Sequence, residues 1–336
     1  AIDKQGRWLV NEAALHLLAA PQAAGAEPGQ VFPAGETGPD SGAQLQLDSL
    51  TPQEDSLRSM DVIFPLLHGP LGEDGTVQGL LELAGLPYIG CGVLASAVAM
   101  DKAVCKAVFA AHNLPQAPYL VVKRKDWEVD PRLILERVEN HLSYPVFVKP
   151  ANLGSSVGVS KAKNRPGLAR ALEEAARYDR KLVVEQGIDA REIEVSVLGN
   201  DDPMASLPGE IIPSGEFYDY SAKYVDVGSQ LLIPAPIADD LRAEARRLAI
   251  AAFQALDAAG MARVDFLLER HSGRLYVNEV NTIPGFTAIS MYPKLWQASG
   301  LSYSELLSRL VDLALERHAD KSRSETSYTP RHIEGS

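Results

Sequence analysis

From Met60 onward, apolar residues fall into short runs with period two or into longer stretches with helical period, which divides the chain into strands and helices. Two strand-like stretches carry the most chemistry. Met261–Leu268 alternates so that Arg263 and Asp265 share a face, and Val277–Phe286 opens as an apolar strand that ends with Glu279 and Asn281 two residues apart. Pairing these strands would bring Asp265 beside Glu279 and Asn281. Hard oxygen donors of this kind suit Mg²⁺, which keeps several waters and completes its shell with nucleotide phosphates.

The same patterning predicts strands at Asp61–Leu67, Pro87–Gly90, Tyr144–Pro150, Lys181–Gln186 and Glu192–Leu198. In the last, Ile193, Val195 and Val197 form a buried face opposite Glu192, Glu194 and Ser196. Carboxylates there could accept from an adenine amino group or ribose hydroxyls, although such a face is more often simply solvated. Helices are predicted at Thr76–Ala84, Val93–Ala111, Leu168–Arg177, Asp239–Asp257 and Ser302–Arg317. Asp130 followed by Pro131 marks a further helix start, and Ser302 with Glu305 forms a capping box. Ala1–Val10 has the pattern of a strand or hairpin tail, 21–52 reads as loop, and 319–336 as a polar tail.

Three connections hold candidate chemistry. His68–Gly75 is a Gly-rich link between strand and helix, the place where open α/β sheets bind ligands, and an ordinary βα turn otherwise. Lys149 ends a strand and leads into Ala151–Gly158, whose small residues allow N–H groups and hydroxyls to approach phosphate oxygens. That loop is not a Walker A sequence, and a solvated lysine beside a hairpin is an equally open reading. Phe217–Asp226 is a polar aromatic run, either a loop that orders over a ligand or plain surface.

Composition narrows the function classes. The chain has 336 residues, enough for two or three domains, and its 46% hydrophobic content supplies a core for each. A net charge of -12 with scattered basic residues argues against a nucleic-acid partner. No apolar run reaches the roughly 20 residues of a spanning helix, and no targeting segment is recognised, so no membrane partner is expected. Cys91 and Cys105 stand alone in a long chain, which fits a reducing compartment, and the expected location is cytoplasmic.

Met100-Asp-Lys102, Val148-Lys-Pro150 with Gly154-Ser-Ser-Val-Gly158, Glu185 to Glu192, Tyr218-Asp-Tyr-Ser-Ala-Lys-Tyr224, Arg263-Val-Asp265 and Asn278-Glu-Val-Asn-Thr-Ile-Pro-Gly285 occur in one order. Together, from about Asp61 to Leu315, they resemble the D-alanine–D-alanine ligases of the ATP-grasp superfamily. The resemblance implies a mixed α/β (α+β) chain with the ATP-grasp fold. Its N-terminal Rossmann-like α/β domain would span 1–105, its central lid domain 106–195 and its C-terminal domain 196–318. The family's opening strand and Gly-rich loop, with a Glu-His pair, would precede Ala1, so the first sheet is expected to lack a strand.

The resemblance also implies roles. Lys102 and Lys149 would bind ATP phosphates, Glu185 with Gln186 and Ile188 would face adenine, and Glu192 would take the ribose. Lys223 would reach the transferring phosphate, and Asn278 with Glu279 would complete the ATP site. Asp265, Glu279 and Asn281 would hold two Mg²⁺ ions, with Mn²⁺ as a substitute, and the resemblance leaves room for a monovalent cation without requiring one. Arg263 and the Gly285 N–H would stabilise the oxyanion, with Ser155 and Tyr224 hydrogen-bonded near the substrate. His68 and Glu73 would lie against the first D-alanine, and Ser290 and Met291 would receive the carboxylate of the second. The implied product is D-alanyl-D-alanine, made from ATP and two molecules of D-alanine by a homodimer for peptidoglycan synthesis. A D-lactate-using relative, or another carboxylate–amine ligase, is the nearest alternative; a nucleotide-binding module without turnover is the alternative outside enzymes.

Overall fold

Two antiparallel sheets face a common cleft and position everything that follows. The computed structural model describes residues 60–154, 157–212, 230–287 and 289–325. The chain divides into two units, 1–61 and 62–336. The expected N-terminal hairpin, the 21–52 loop, the Phe217–Asp226 run and the end of the tail lie outside the described residues.

The second unit begins with parallel pairing at a single position, Ile63 opposite Tyr88, where two longer strands are predicted. Ile63 N–H donates to the Pro87 carbonyl, and Ile89 N–H to that of Ile63. Three helices follow: α1 (Thr76–Leu83), α2 (Val93–Met100) and α3 (Lys102–Ala111). The single helix predicted over Val93–Ala111 is therefore two. Asp101 breaks it: its backbone is extended, and its side chain accepts from Ala103 and Val104 N–H as the N-cap of α3.

The first sheet has the order β1-β4-β2-β3, from β1 (Tyr119–Lys123), β2 (Val146–Pro150), β3 (Ser160–Ala162) and β4 (Lys181–Gln186). Helices α4 (Arg124–Val129), α5 (Pro131–His141) and α6 (Arg165–Tyr178) belong to the same part of the chain. Asp130 caps α5 through Leu133 N–H with Pro131 in its first turn, and Asn164 caps α6 through Gly167 N–H. Trp127, Val138, Val148, Leu172 and Val184 join in its core.

The second sheet has the order β10-β9-β5-β7-β8, with β6 paired to β5. Its strands are β5 (Ala190–Gly199), β6 (Met204–Ala205), β7 (Gly209–Ile212), β8 (Gln230–Leu232), β9 (Gly260–Glu269) and β10 (Leu275–Asn281). Helix α7 (Asp239–Ala255) covers one face, burying Ala245, Leu248, Ala249, Ala252 and Phe253 against Val195, Val264 and Val277. The chain changes sheets between Gln186 and Ala190, so the boundary expected at 195/196 falls inside β5. At the turn, Gly187 donates its N–H to the Pro145 carbonyl, and a Cβ there would lie only 2.6 Å from that oxygen.

Helices α8 (Met291–Ala298) and α9 (Tyr303–Ser322) close the C-terminal side. The capping box of Ser302 and Glu305 is present, and α9 runs five residues beyond the predicted end at Arg317, into the stretch expected as polar tail. Phe286 packs edge-on to Phe64 at 5.1 Å and against Tyr292 and Tyr303, which fixes the loop after β10 to the segment before His68.

Candidate active site

The cleft between the sheets has a volume of about 720 Å³ and is walled by β2 and β4 on one side and β5, β7, β9 and β10 on the other. Its floor is set by strand register. Glu279 lies opposite Asp265, the neighbour the sequence pattern predicts, and Asn281 lies opposite Arg263. A β-bulge between Val277 and Glu279 makes this register compatible with the core. Val277 pairs with Phe266 on the apolar face, and the extra residue Asn278 moves Glu279 onto the Asp265 face while Val280 returns to the core opposite Val264. Asn278 and Glu279 both line the cleft as a result.

Arg263 is the most engaged group on this floor. Nε and Nη2 donate to the two carboxylate oxygens of Asp265, each at 2.7 Å, and Nε lies 3.1 Å from Glu194 Oε2. Burial works against its charge, but Asp265 and Glu194 more than compensate and hold the guanidinium pKa above its ordinary value. Asn281 Nδ2 donates to Asp265 Oδ2 at 2.9 Å. Glu194 is 4% exposed, so the solvated-face reading of this strand fails at that position.

The opposite wall is cationic. Glu185 is 3% exposed and pairs through one oxygen with Lys149 at 2.5 Å and through the other with Lys106 at 2.9 Å. Burial pushes the Glu185 carboxyl up, but Lys106 and Lys149 reverse this and bring it to about 2. Burial likewise depresses Lys149, and Glu185 more than restores it. Lys102 donates to the Leu153 carbonyl at 2.5 Å, at the start of the small-residue loop.

The remaining expected residues divide. Glu192, Ile188 and Gln186 line the cleft, but the Gln186 amide is held by the backbone of Ser143, at 2.7 Å and 2.6 Å. Glu185 lines the cleft as well, with each carboxylate oxygen on a lysine. Glu73 accepts from Gly69 N–H at 2.6 Å, and a Cβ on Gly154 would lie 3.9 Å from its Oε2, so the two Gly-rich loops meet at this carboxylate. Burial first, and then Glu279, push Glu73 up to about 7 against the Gly69 bond and the charges of Arg263 and Lys102. His68 is lowered by burial and by Arg263, against a hydrogen bond with the Ile283 backbone, which places it beside the same floor.

Gly285 approaches Ser290 so closely that a Cβ there would lie 2.9 Å from Ser290 Oγ, which also accepts from Thr287 N–H. Ser290 precedes α8, whose first N–H groups lack intrahelical acceptors and suit a carboxylate. The Met291 side chain does not share in this: it is 5% exposed and packs with Ile211 and Leu295, leaving only its backbone for a ligand. Ser155, Lys223 and Tyr224 lie outside the described residues.

Sequence reasoning missed Lys106, the pairing of Glu194 with Arg263, and the Arg191–Glu210 pair, which bridges β5 and β7 at 2.7 Å and 2.6 Å along the cleft. Signals existed for two of them. Lys106 stands four residues after Lys102 on one helix, and Glu194 shares a strand face with Glu192.

Among the described residues no group of three or more His, Cys, Asp or Glu is gathered as a metal cage. The donors present are two carboxylates, Asp265 and Glu279, and the Asn281 amide on adjacent strands. That set fits Mg²⁺, which binds through one or two carboxylates plus substrate phosphates rather than in an all-protein cage. No helix among the described residues is long and apolar enough to cross a membrane.

Comparison with known proteins gives a concordant answer. The sequence model described as D-ala D-ala ligase C-terminus matches residues 108–312, and the one described as D-ala D-ala ligase N-terminus matches 1–91. A D-alanine–D-alanine ligase of Heliobacterium modesticaldum is 62% identical over 272 residues, 81% of this chain and 74% of that protein. One from Bacillus cytotoxicus is 51% identical over 323 residues, 96% and 87% of the two chains. The solved D-alanine-D-alanine ligase from Coxiella burnetii superposes with a TM-score of 0.71 at 40% identity, covering 79% of this chain and 70% of its own. The VanG D-Ala:D-Ser ligase from Enterococcus faecalis gives 0.69 at 37% identity, covering 76% and 73%. The fold is that of the ATP-grasp enzymes, and the chain belongs to the D-alanine–D-alanine ligase family.

Proposed function

We propose that this chain joins two molecules of D-alanine into D-alanyl-D-alanine at the expense of ATP, for cell-wall precursor synthesis. One observation carries the reading: a cleft with lysines on the first sheet and the Arg263, Asp265, Glu279 and Asn281 set on the second. A carboxylate is a poor acyl donor. The carboxylate of the first D-alanine therefore attacks the γ-phosphorus of ATP, whose bond to the β–γ bridging oxygen breaks to release ADP and leave an acyl phosphate. The amine of the second attacks the acyl carbon and loses a proton, and the tetrahedral intermediate expels phosphate.

Each step has residues to serve it. Lys102 and Lys149 hold phosphate oxygens by position and charge, as phosphoryl transfer requires. Gln186 and Ile188 bound the adenine end beside Glu185, and Glu192 takes the ribose. His68 and Glu73 flank the first D-alanine. Arg263, already fixed by Asp265, and the Gly285 N–H donate to the developing oxyanion. Ser290 and the Met291 N–H receive the carboxylate of the second D-alanine at the start of α8.

Asp265, Glu279 and Asn281, with Asn278 beside them, would hold Mg²⁺, which neutralises phosphate charge when bound. Mn²⁺ is a substitute in the same donor set, and a monovalent cation belongs to the same reading. Ser155, Lys223 and Tyr224 complete it by resemblance. A homodimer acting in the cytoplasm completes the biological picture.

The identity of the second substrate deserves its own test, because a D-Ala:D-Ser ligase is among the structural neighbours. Product analysis with ATP, Mg²⁺ and D-alanine, in competition with D-lactate or D-serine, decides it. D-alanyl-D-alanine as the main product supports the reading, and a mixed product in its place refutes it.

A further inference from the structure

Lys106 is a buried cation that the chemistry above leaves without a task. Its side chain is 3% exposed, its Nζ lies 2.9 Å from Glu185 Oε1, and it stands 5.3 Å from the centre of the Tyr119 ring. It is not among the residues that line the cleft, whereas Lys149, on the other oxygen of Glu185, is. One buried carboxylate is thus shared by two lysines, and the trio carries a net positive charge.

The arrangement has an electrostatic consequence. If Glu185 faced Lys149 alone, the pair would be neutral, and its pull on a phosphate would largely vanish in a cleft where charges act more strongly than in water. Lys106 supplies the compensating charge from α3, which packs on β4. The other acidic groups acting on Lys149 are Glu192 and Glu279, which belong to the second sheet, on the opposite wall.

We propose that Lys106 is a positioning residue for phosphate binding: it neutralises Glu185 from behind the cleft, so that Glu185 orients Lys149 without cancelling its charge. The proposal rests on the reading of Lys149 as a phosphate ligand. It predicts an effect on the phosphate end of the nucleotide and none on D-alanine.

The test measures binding of Mg²⁺-tripolyphosphate, which has no adenine or ribose, by calorimetry on the full chain. Lys106→Met is expected to weaken it about tenfold, equivalent to ~1.4 kcal/mol, with KM for D-alanine unchanged. Lys106→Gln keeps a donor for Glu185 without the charge and is expected to show the same loss, so one variant remains if the other does not fold. Lys106→Arg should stay within about threefold of the parent, since it keeps the charge. Removing both charges, in Lys106→Met with Glu185→Gln, should recover most of the lost affinity because Lys149 is again unopposed. Parent-like binding by the neutral variants, or no recovery in the double variant, overturns the proposal. Lys149→Met is the control: if it binds as tightly as the parent, the phosphate role of Lys149 fails instead.

Discussion

Arg263 and Asp265 meet in a two-pronged hydrogen bond, Nε to Oδ1 and Nη2 to Oδ2, each 2.7 Å. The two residues lie one strand repeat apart on the same face of β9, so the fork is held by the strand as well as by charge. Lysine cannot reproduce it, because an ammonium offers a point charge and no planar fork. Arg263→Lys is therefore expected to reduce turnover by about 10² to 10³, the usual loss of one oxyanion donor, with ATP affinity little changed. Steady-state kinetics with both substrates varied checks this.

Glu279 owes its place in the cleft to the bulge at Asn278. Glu279→Gln keeps the shape but removes a hard anionic donor. Phosphate release is expected to fall by at least about 10², and Mg²⁺ titration to lose its saturable effect. Nucleotide affinity measured without Mg²⁺ is expected to stay near that of the parent. Unchanged Mg²⁺ dependence would remove Glu279 from the metal set.

Glu73 links pH to stability. Its carboxyl stands at about 7 in the fold against 4.5 in an ordinary glutamate, chiefly through burial. The fold therefore binds this proton more tightly than the unfolded chain, and stability from this group is present below about pH 4.5 and lost as pH rises through 7. The loss is on the order of 3 kcal/mol, at 1.36 kcal/mol per pKa unit. Glu73→Gln escapes it. In thermal melts without metal or nucleotide, the variant should gain on the parent from pH 5 to pH 7.5 and hold a steady lead above; a pH-independent difference contradicts the assignment.

The passage from one sheet to the other depends on Gly187. A Cβ there would lie 2.6 Å from the Pro145 carbonyl oxygen, which is backbone and cannot swing aside. Gly187→Ala is expected to cost about 1–3 kcal/mol in denaturant unfolding. Because Gly187 lines the cleft, nucleotide affinity should fall with it.

Much of this site was legible because its parts lie on strands, where period two assigns faces directly. Arg263 and Asp265 on β9 and Glu192 with Glu194 on β5 are read in this way, whereas Lys149 is read from its place at the end of β2, before a loop of small residues. What periodicity hid were its own interruptions. The apolar helical pattern of Val93–Ala111 runs unbroken through Asp101, although that side chain ends one helix and caps the next. The bulge at Asn278 changes which residues face the cleft without altering composition, and Met291 reads as a site neighbour until its side chain is seen in the core. The burial of Lys106 and Glu194 was hidden for a different reason: each is covered by a partner far away in sequence, Glu185 and Arg263. A charge that is solvated in isolation becomes a core residue only when the fold supplies its counter-charge.

The central claim is that this cleft couples ATP cleavage to peptide-bond formation between two D-alanines. Phosphate release from ATP, followed continuously with and without D-alanine and Mg²⁺, tests it most directly. The expected result is release that requires both, saturates in D-alanine and is matched one for one by D-alanyl-D-alanine. Release that proceeds equally without D-alanine, or a protein that binds ATP and releases none when D-alanine and Mg²⁺ are supplied, would contradict it.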